Sequence, residues 1–131
     1  MKTVGICGNI RLTKYDNFVE AARKVYKVHD FAEDVGITTM EDLRDCEKLY
    51  IIGKAKELSD ETWDIISWAF VTGVQIIPVD YISAHTIRFK AVEFLRKFAN
   101  AIEVLNKPAS HLAVLYNNLT FHIKGEKLCQ Q

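Results

Sequence analysis

Apolar and polar positions along the chain follow two rhythms, and their order predicts the elements. "KTVGICG" (Lys2 to Gly8) is a short apolar, β-prone run closed by glycine, and it predicts a first strand. In "YDNFVEAARKVYKVH", Phe18, Ala21, Ala22, Val25 and Val28 recur at helical spacing, with Asp16 or Asn17 available as N-cap. "DFAEDVGI" predicts either a weak second strand or a loop, and "TTMEDLRDC" one helical turn. Thr39 and Asp42 have the spacing of a capping box, with Asp in place of Glu. "KLYIIG" (Lys48 to Gly53) is the continuous apolar run of a parallel strand buried on both faces.

The next stretch has its own start and stop signals. Ser59 is a good N-cap, and Asp60 and Glu61 fall in the first helical turn, where the helix dipole favours acids. Trp63, Ile66, Ala69 and Phe70 form the buried stripe, and Gly73 ends the helix. "VQIIPVD" is the following strand, which Pro78 either ends or places at a sheet edge. From Ala84 to Asn106, the residues Ile87, Ala91, Phe94, Leu95, Phe98, Ile102 and Leu105 keep a 3.6 period over the longest helix signal in the chain. "HLAVLYNNLTFHIKG" predicts a β-hairpin turning at Asn117-Asn118, while a helical reading of "SHLAVLYNNL" stays open. Strands alternating with helices predict an α/β fold: a mainly parallel sheet flanked by helices, with a C-terminal long helix and hairpin. One domain spans residues 1–131, with residues 83–131 an extension of a core in 1–82.

Composition narrows the function classes. Hydrophobic residues make up 49% of the 131, enough for a real core. Lys+Arg and Asp+Glu both number 17, a formal net charge of zero that argues against nucleic acid as partner. The same balance permits self-association, so a homo-oligomer is expected. No run approaches the roughly 18 apolar residues of a membrane span, and "MKTVGICGNI" lacks the pattern of a secretory leader. Cys7, Cys46 and Cys129 are scattered singly, as reduced thiols in a cytoplasmic protein would be. His29, His85, His111 and His122 have no metal-ligand spacing, so no metal is expected. Gly5 and Gly8 have no third glycine to complete a dinucleotide fingerprint, and no cofactor is expected.

In open α/β sheets, ligands bind just past the carboxyl ends of strands. That rule singles out Gly8 and Asn9 after the first strand, and Gly53 after the later buried one. Arg11, Lys14, Lys54 and Lys56 fall in the same loops and are the phosphate candidates, although solvated surface charge explains them as simply. Asp60 and Glu61 would oppose a phosphate on their helix end, and dipole stabilisation accounts for both. Trp63, Tyr15 and Tyr81 are stacking candidates for a base, with core packing the plainer role for Trp63.

Two stretches carry a family resemblance. "ICGNIRLTKYDNFVEAARKV" resembles the first strand, small-residue loop and first helix of nucleoside 2-deoxyribosyltransferase-like proteins. "MEDLRDCEKLYIIGKAKELSDETWDIISWAFVTGVQIIPV" resembles their second signature, in which an acidic step leads into an apolar strand, a loop with serine, a helix and another strand. The likeness covers roughly residues 1–82 and is that of a divergent, phage-type member. It implies a Rossmann-like fold, homo-oligomers, and cleavage or exchange of a nucleoside N-glycosidic bond by a helix glutamate acting as nucleophile. It also implies ligand contacts from Gly8, Asn9 and Ile10, from Glu47 at a base-binding acid position, and from Ser59. The sequence departs from the pattern where the chemistry should be. The glycine after the loop serine is replaced by Asp60, and the nucleophile position, four before Ala69, is Ile65. Asp64 lies about 100° around the helix from it, and Glu61 one turn earlier. The implied function is therefore binding of a nucleoside- or nucleotide-like molecule without turnover, for instance sequestration of an ADP-ribose-type signal. An active N-glycosidase or deoxyribosyltransferase using Asp64 or Glu61 is the alternative, and an oligomeric interaction module the third reading.

Overall fold

A computed structural model describes the backbone of residues 1–31 and 39–105, and the side chains of 1–31 and 42–97. Four strands form one sheet: β1 (Thr3–Gly8), β2 (Lys27–Asp30), β3 (Lys48–Ile52) and β4 (Gln75–Pro78). Their order is β2-β1-β3-β4, and every pair is parallel. The helices are α1 (Thr13–Arg23), α2 (Thr39–Asp45), α3 (Asp60–Thr72) and α4 (Ala84–Leu105), with a 3-10 turn at Ala55–Glu57. This is an α/β fold of Rossmann-like arrangement, as the alternation of elements predicts.

Successive side chains of a strand point to opposite faces, so each buried strand feeds two cores. On one face Ile6 and Ile52 pack against Tyr15, Val19 and Ala22 of α1. On the other, Cys7, Leu49 and Ile51 meet Leu43 of α2 and Trp63, Ile66 and Ala69 of α3. Ala69 is fully buried, and its small side chain lets α3 lie close to the sheet. α4 is the outer partner of α3: Ala91 and Leu95 pack on Val71, and Trp68 meets Phe94 edge-on at 5.0 Å.

Three expectations are corrected. α1 begins at Thr13 behind Leu12, not at Asp16 or Asn17, because the chain turns at once after β1: Leu12 N–H donates to the Asn9 carbonyl and Tyr15 N–H to that of Leu12. Its apolar stripe stops at Ala22; Val25 is exposed, and Val28 belongs to a strand. That strand, β2, reaches as far as Asp30, the first residue of "DFAEDVGI", and Phe31 ends the pairing by donating its N–H to the Ile6 carbonyl. Other features hold as read. Ser59 caps α3, accepting from Thr62 N–H at 3.2 Å. Gly73 ends the helix in the left-handed region at φ 83°. Pro78 closes β4, which is an edge strand among the described residues. Ser83 caps α4 through Thr86 N–H, a signal not read from the sequence. The predicted hairpin at Asn117-Asn118, with His111, His122 and Cys129, lies outside the described residues.

Candidate functional site

The chain leaves β1 toward α1 on one face of the sheet and leaves β3 toward α3 on the other. Because β1 and β3 are neighbours, their outgoing loops diverge and open a crevice at the carboxyl edge, the usual ligand position in open α/β sheets. A cleft of about 390 Å³ occupies that position, at the small end of the range for ligand sites. One wall is Gly8, Asn9, Ile10 and Arg11; the other is Glu57, Leu58 and Ser59 with Glu61, Thr62 and Ile65 of α3; Phe31 completes the lining.

The walls are held by specific contacts. Gly8 has φ +139°, and a Cβ there would lie 2.0 Å from the Ile52 carbonyl oxygen, so the two loops approach as only glycine allows. Asn9 N–H then donates to that same carbonyl at 2.8 Å. The Asn9 side chain works in two directions. Its Oδ1 accepts from Arg11 N–H at 3.1 Å, and its Nδ2 donates to Glu57 at 3.4 Å across the cleft mouth. Behind the cleft, Asp80 ties three segments together: it accepts from Gly53 N–H at 2.8 Å and from the Lys14 ammonium at 2.5 Å. Those two hydrogen bonds hold its carboxyl below the usual carboxylate range.

The structure sorts the sequence candidates. Gly8, Asn9, Ile10, Arg11 and Ser59 line the cleft together with Glu61 and Ile65. Ile65 is buried, and the position where the resemblance places a nucleophilic carboxylate holds an apolar surface of the cleft. Asp64 does not reach it. It faces α4 in a small crevice with Asp60, Trp63, Lys90 and Lys97, the turn of the helix having carried it around as expected. Partial burial pushes its carboxyl up, Lys97 opposes that shift, and Asp60 and Glu61 add to it.

Six ligand-site expectations fall elsewhere. Tyr15 is buried beneath α1 with its hydroxyl on Asp30 at 2.6 Å. Glu47 lies at the amino edge of the sheet: its N–H bonds the Thr3 carbonyl, and its carboxylate is 3.7 Å from Lys2. Asp60 and Trp63 face α4, where Lys90 stands 5.4 Å from the indole. Gly53 and Lys54 stand behind the cleft, both acting on Asp80. Sequence reasoning missed Phe31, Glu57, Leu58 and Thr62. Glu57 and Leu58 were within reach, since they precede the recognised cap Ser59 in the loop after a buried strand. Phe31 was not, because only the pairing of β2 with β1 brings it there.

No family model, curated protein or solved structure matches this chain. Among the described residues, no group of three or more His, Cys, Asp or Glu is gathered as a metal site would require. No described helix is long and apolar enough to cross a membrane.

Proposed function

We propose that the chain binds a nucleoside- or nucleotide-like small molecule in the cleft between β1 and β3 and releases it intact. The observation that carries this reading is the cleft at the switch point of the sheet with Ile65, an aliphatic side chain, in its wall. Phe31, Leu58 and Ile65 offer apolar area to a planar ring, and the polar atoms of Asn9, Glu57 and Ser59 stand around them. A protein that grips such a molecule without breaking it serves as a sensor or a sequestering agent.

One observation favours a second reading. Glu61 lines the same cleft, one turn before Ile65, and a carboxylate there has the chemistry of a nucleophile on a sugar carbon. The experiment that separates the two is a thermal-shift screen of nucleosides, nucleotides, NAD and ADP-ribose, with each bound ligand recovered and analysed by chromatography. A ligand present at 100 times its Kd adds about 2.7 kcal/mol of stability. Intact recovery supports binding; recovery as free base and sugar, abolished by Glu61→Gln, supports turnover. The absence of any hit moves the weight to an interaction module, for which Tyr81 and Phe89, 87% and 57% exposed, are the apolar surface.

A further inference from the structure

Behind the cleft, the end of β3 carries a second arrangement, and none of its residues lines the cleft. Gly53 follows the last residue of β3 with φ +121°, and its N–H donates to Asp80 Oδ2 at 2.8 Å. Lys14, in the first turn of α1, brings its ammonium to the other carboxylate oxygen, Oδ1, at 2.5 Å. Lys54 adds a second positive charge to the field at that carboxyl. The N–H of a positive-φ glycine converging with ammonium groups is a donor set for an oxyanion. It stands at the carboxyl end of a parallel strand, where open α/β sheets receive ligands. Here the anion is the chain's own. Asp80 lies in the connection from β4 to α4; its neighbours Val79 and Tyr81 are exposed, whereas its own side chain, 20% exposed, turns inward to both donors.

We propose that the Gly53 N–H, Lys14 and Lys54 form a subsite for a tetrahedral oxyanion of the phosphate class, and that Asp80 fills it as a tethered competitor. The inference is independent of what the cleft binds. The carboxylate gives one oxygen to each donor, as a phosphate would. Because it is attached to the chain, it competes at a high effective concentration, and an external anion binds only in the fraction of molecules whose Asp80 has swung out. A dianion gains more from two ammonium groups than a monoanionic carboxylate does. At sufficient concentration it exchanges with Asp80 and releases the connection of residues 79–81 from the end of β3.

The test is an NMR titration of the full, isotope-labelled chain with inorganic phosphate at constant ionic strength, read at the Gly53 amide. The wild type should bind weakly. Asp80→Ala, which removes the competitor, should bind at least about tenfold more tightly. Adding Lys14→Met to that variant should abolish the gain. If circular dichroism shows Asp80→Ala unfolded, Asp80→Asn takes its place: it keeps an oxygen for the Gly53 N–H, frees Lys14, and should also tighten phosphate binding. A folded variant at position 80 whose phosphate affinity equals that of the wild type overturns the proposal. A gain that survives Lys14→Met overturns it too, because the phosphate then sits on other exposed cations such as Arg11 or Lys56.

Discussion

Replacing Gly8 by alanine tests the architecture of the cleft most directly. A Cβ at Gly8 would lie 2.0 Å from the Ile52 carbonyl oxygen and 2.7 Å from the Ile52 nitrogen, both backbone atoms that no side-chain rotation can move. Gly73→Ala is the matched control. It also has positive φ, at +83°, but a Cβ there meets nothing within 4 Å. The control should cost about 1–2 kcal/mol, the penalty of a left-handed residue with a side chain. Gly8→Ala carries a strain of about 1–3 kcal/mol and must also push β1 from β3. Separating the strands breaks the bond from Asn9 N–H to the Ile52 carbonyl and frays the end of the ladder, roughly another 1–2 kcal/mol. The sum is about 2–5 kcal/mol, and for a domain of this size a Tm lower by roughly 6–20 °C. Urea unfolding of the wild type and both variants reads the difference as a shift in midpoint at unchanged slope. If Gly8→Ala falls within about 0.5 kcal/mol of Gly73→Ala, the close approach of the two loops is not as described.

Ser59→Ala should cost about 1 kcal/mol, because Thr62 N–H loses its partner at the start of α3; urea midpoints check it, and an unchanged midpoint removes the cap from the account. Asp80→Asn should lower Tm at neutral pH but lose its effect in acid. The folded carboxyl titrates below its unfolded value of about 3.9, so its stabilisation is complete above that value and disappears as pH falls through the folded one. A Tm gap between variant and wild type that is the same at neutral pH and in strong acid would refute the linkage. Burial pushes both described thiols up, Cys46 to about 11, with nearby acids adding to the effect. In a Cys129→Ser background, a disulfide reagent should therefore label neither Cys7 nor Cys46 until urea is added, and rapid labelling of the native protein would contradict their burial.

Much of the frame is visible in single residues. Ser59 and Gly73 mark the ends of α3 because a cap oxygen and a left-handed glycine satisfy local backbone groups, which needs no tertiary information. β1 and β3 are legible as uninterrupted apolar runs because a strand covered on both faces has no polar side to display. The misread region, Lys24 to Phe31, fails for an equally physical reason. Val25 and Val28 sit at helical spacing from Ala21, yet the backbone of Val28 finds a better partner in Val4 of β1. Short strands owe their existence to such pairing, and the sequence of β2 has no periodicity long enough to announce it.

The candidate site divides along the same line. The sequence by itself determined that the chain is an α/β protein, that its loops after β1 and β3 face the usual ligand edge, and that an isoleucine stands at position 65. These are consequences of local periodicity, chain order and residue identity. Tertiary structure alone decided which side chains meet. The helical turn of α3 aims Glu61 and Ile65 into the cleft and Asp64 at α4. The order β2-β1-β3 brings Phe31 to the cleft and leaves Glu47 at the opposite edge of the sheet. Asp80, distant in sequence, is drawn to Gly53 and Lys14 and uses up one of the four cations that the sequence offered to a phosphate. Contacts between elements depend on strand order and helix rotation, and neither is encoded within any one segment.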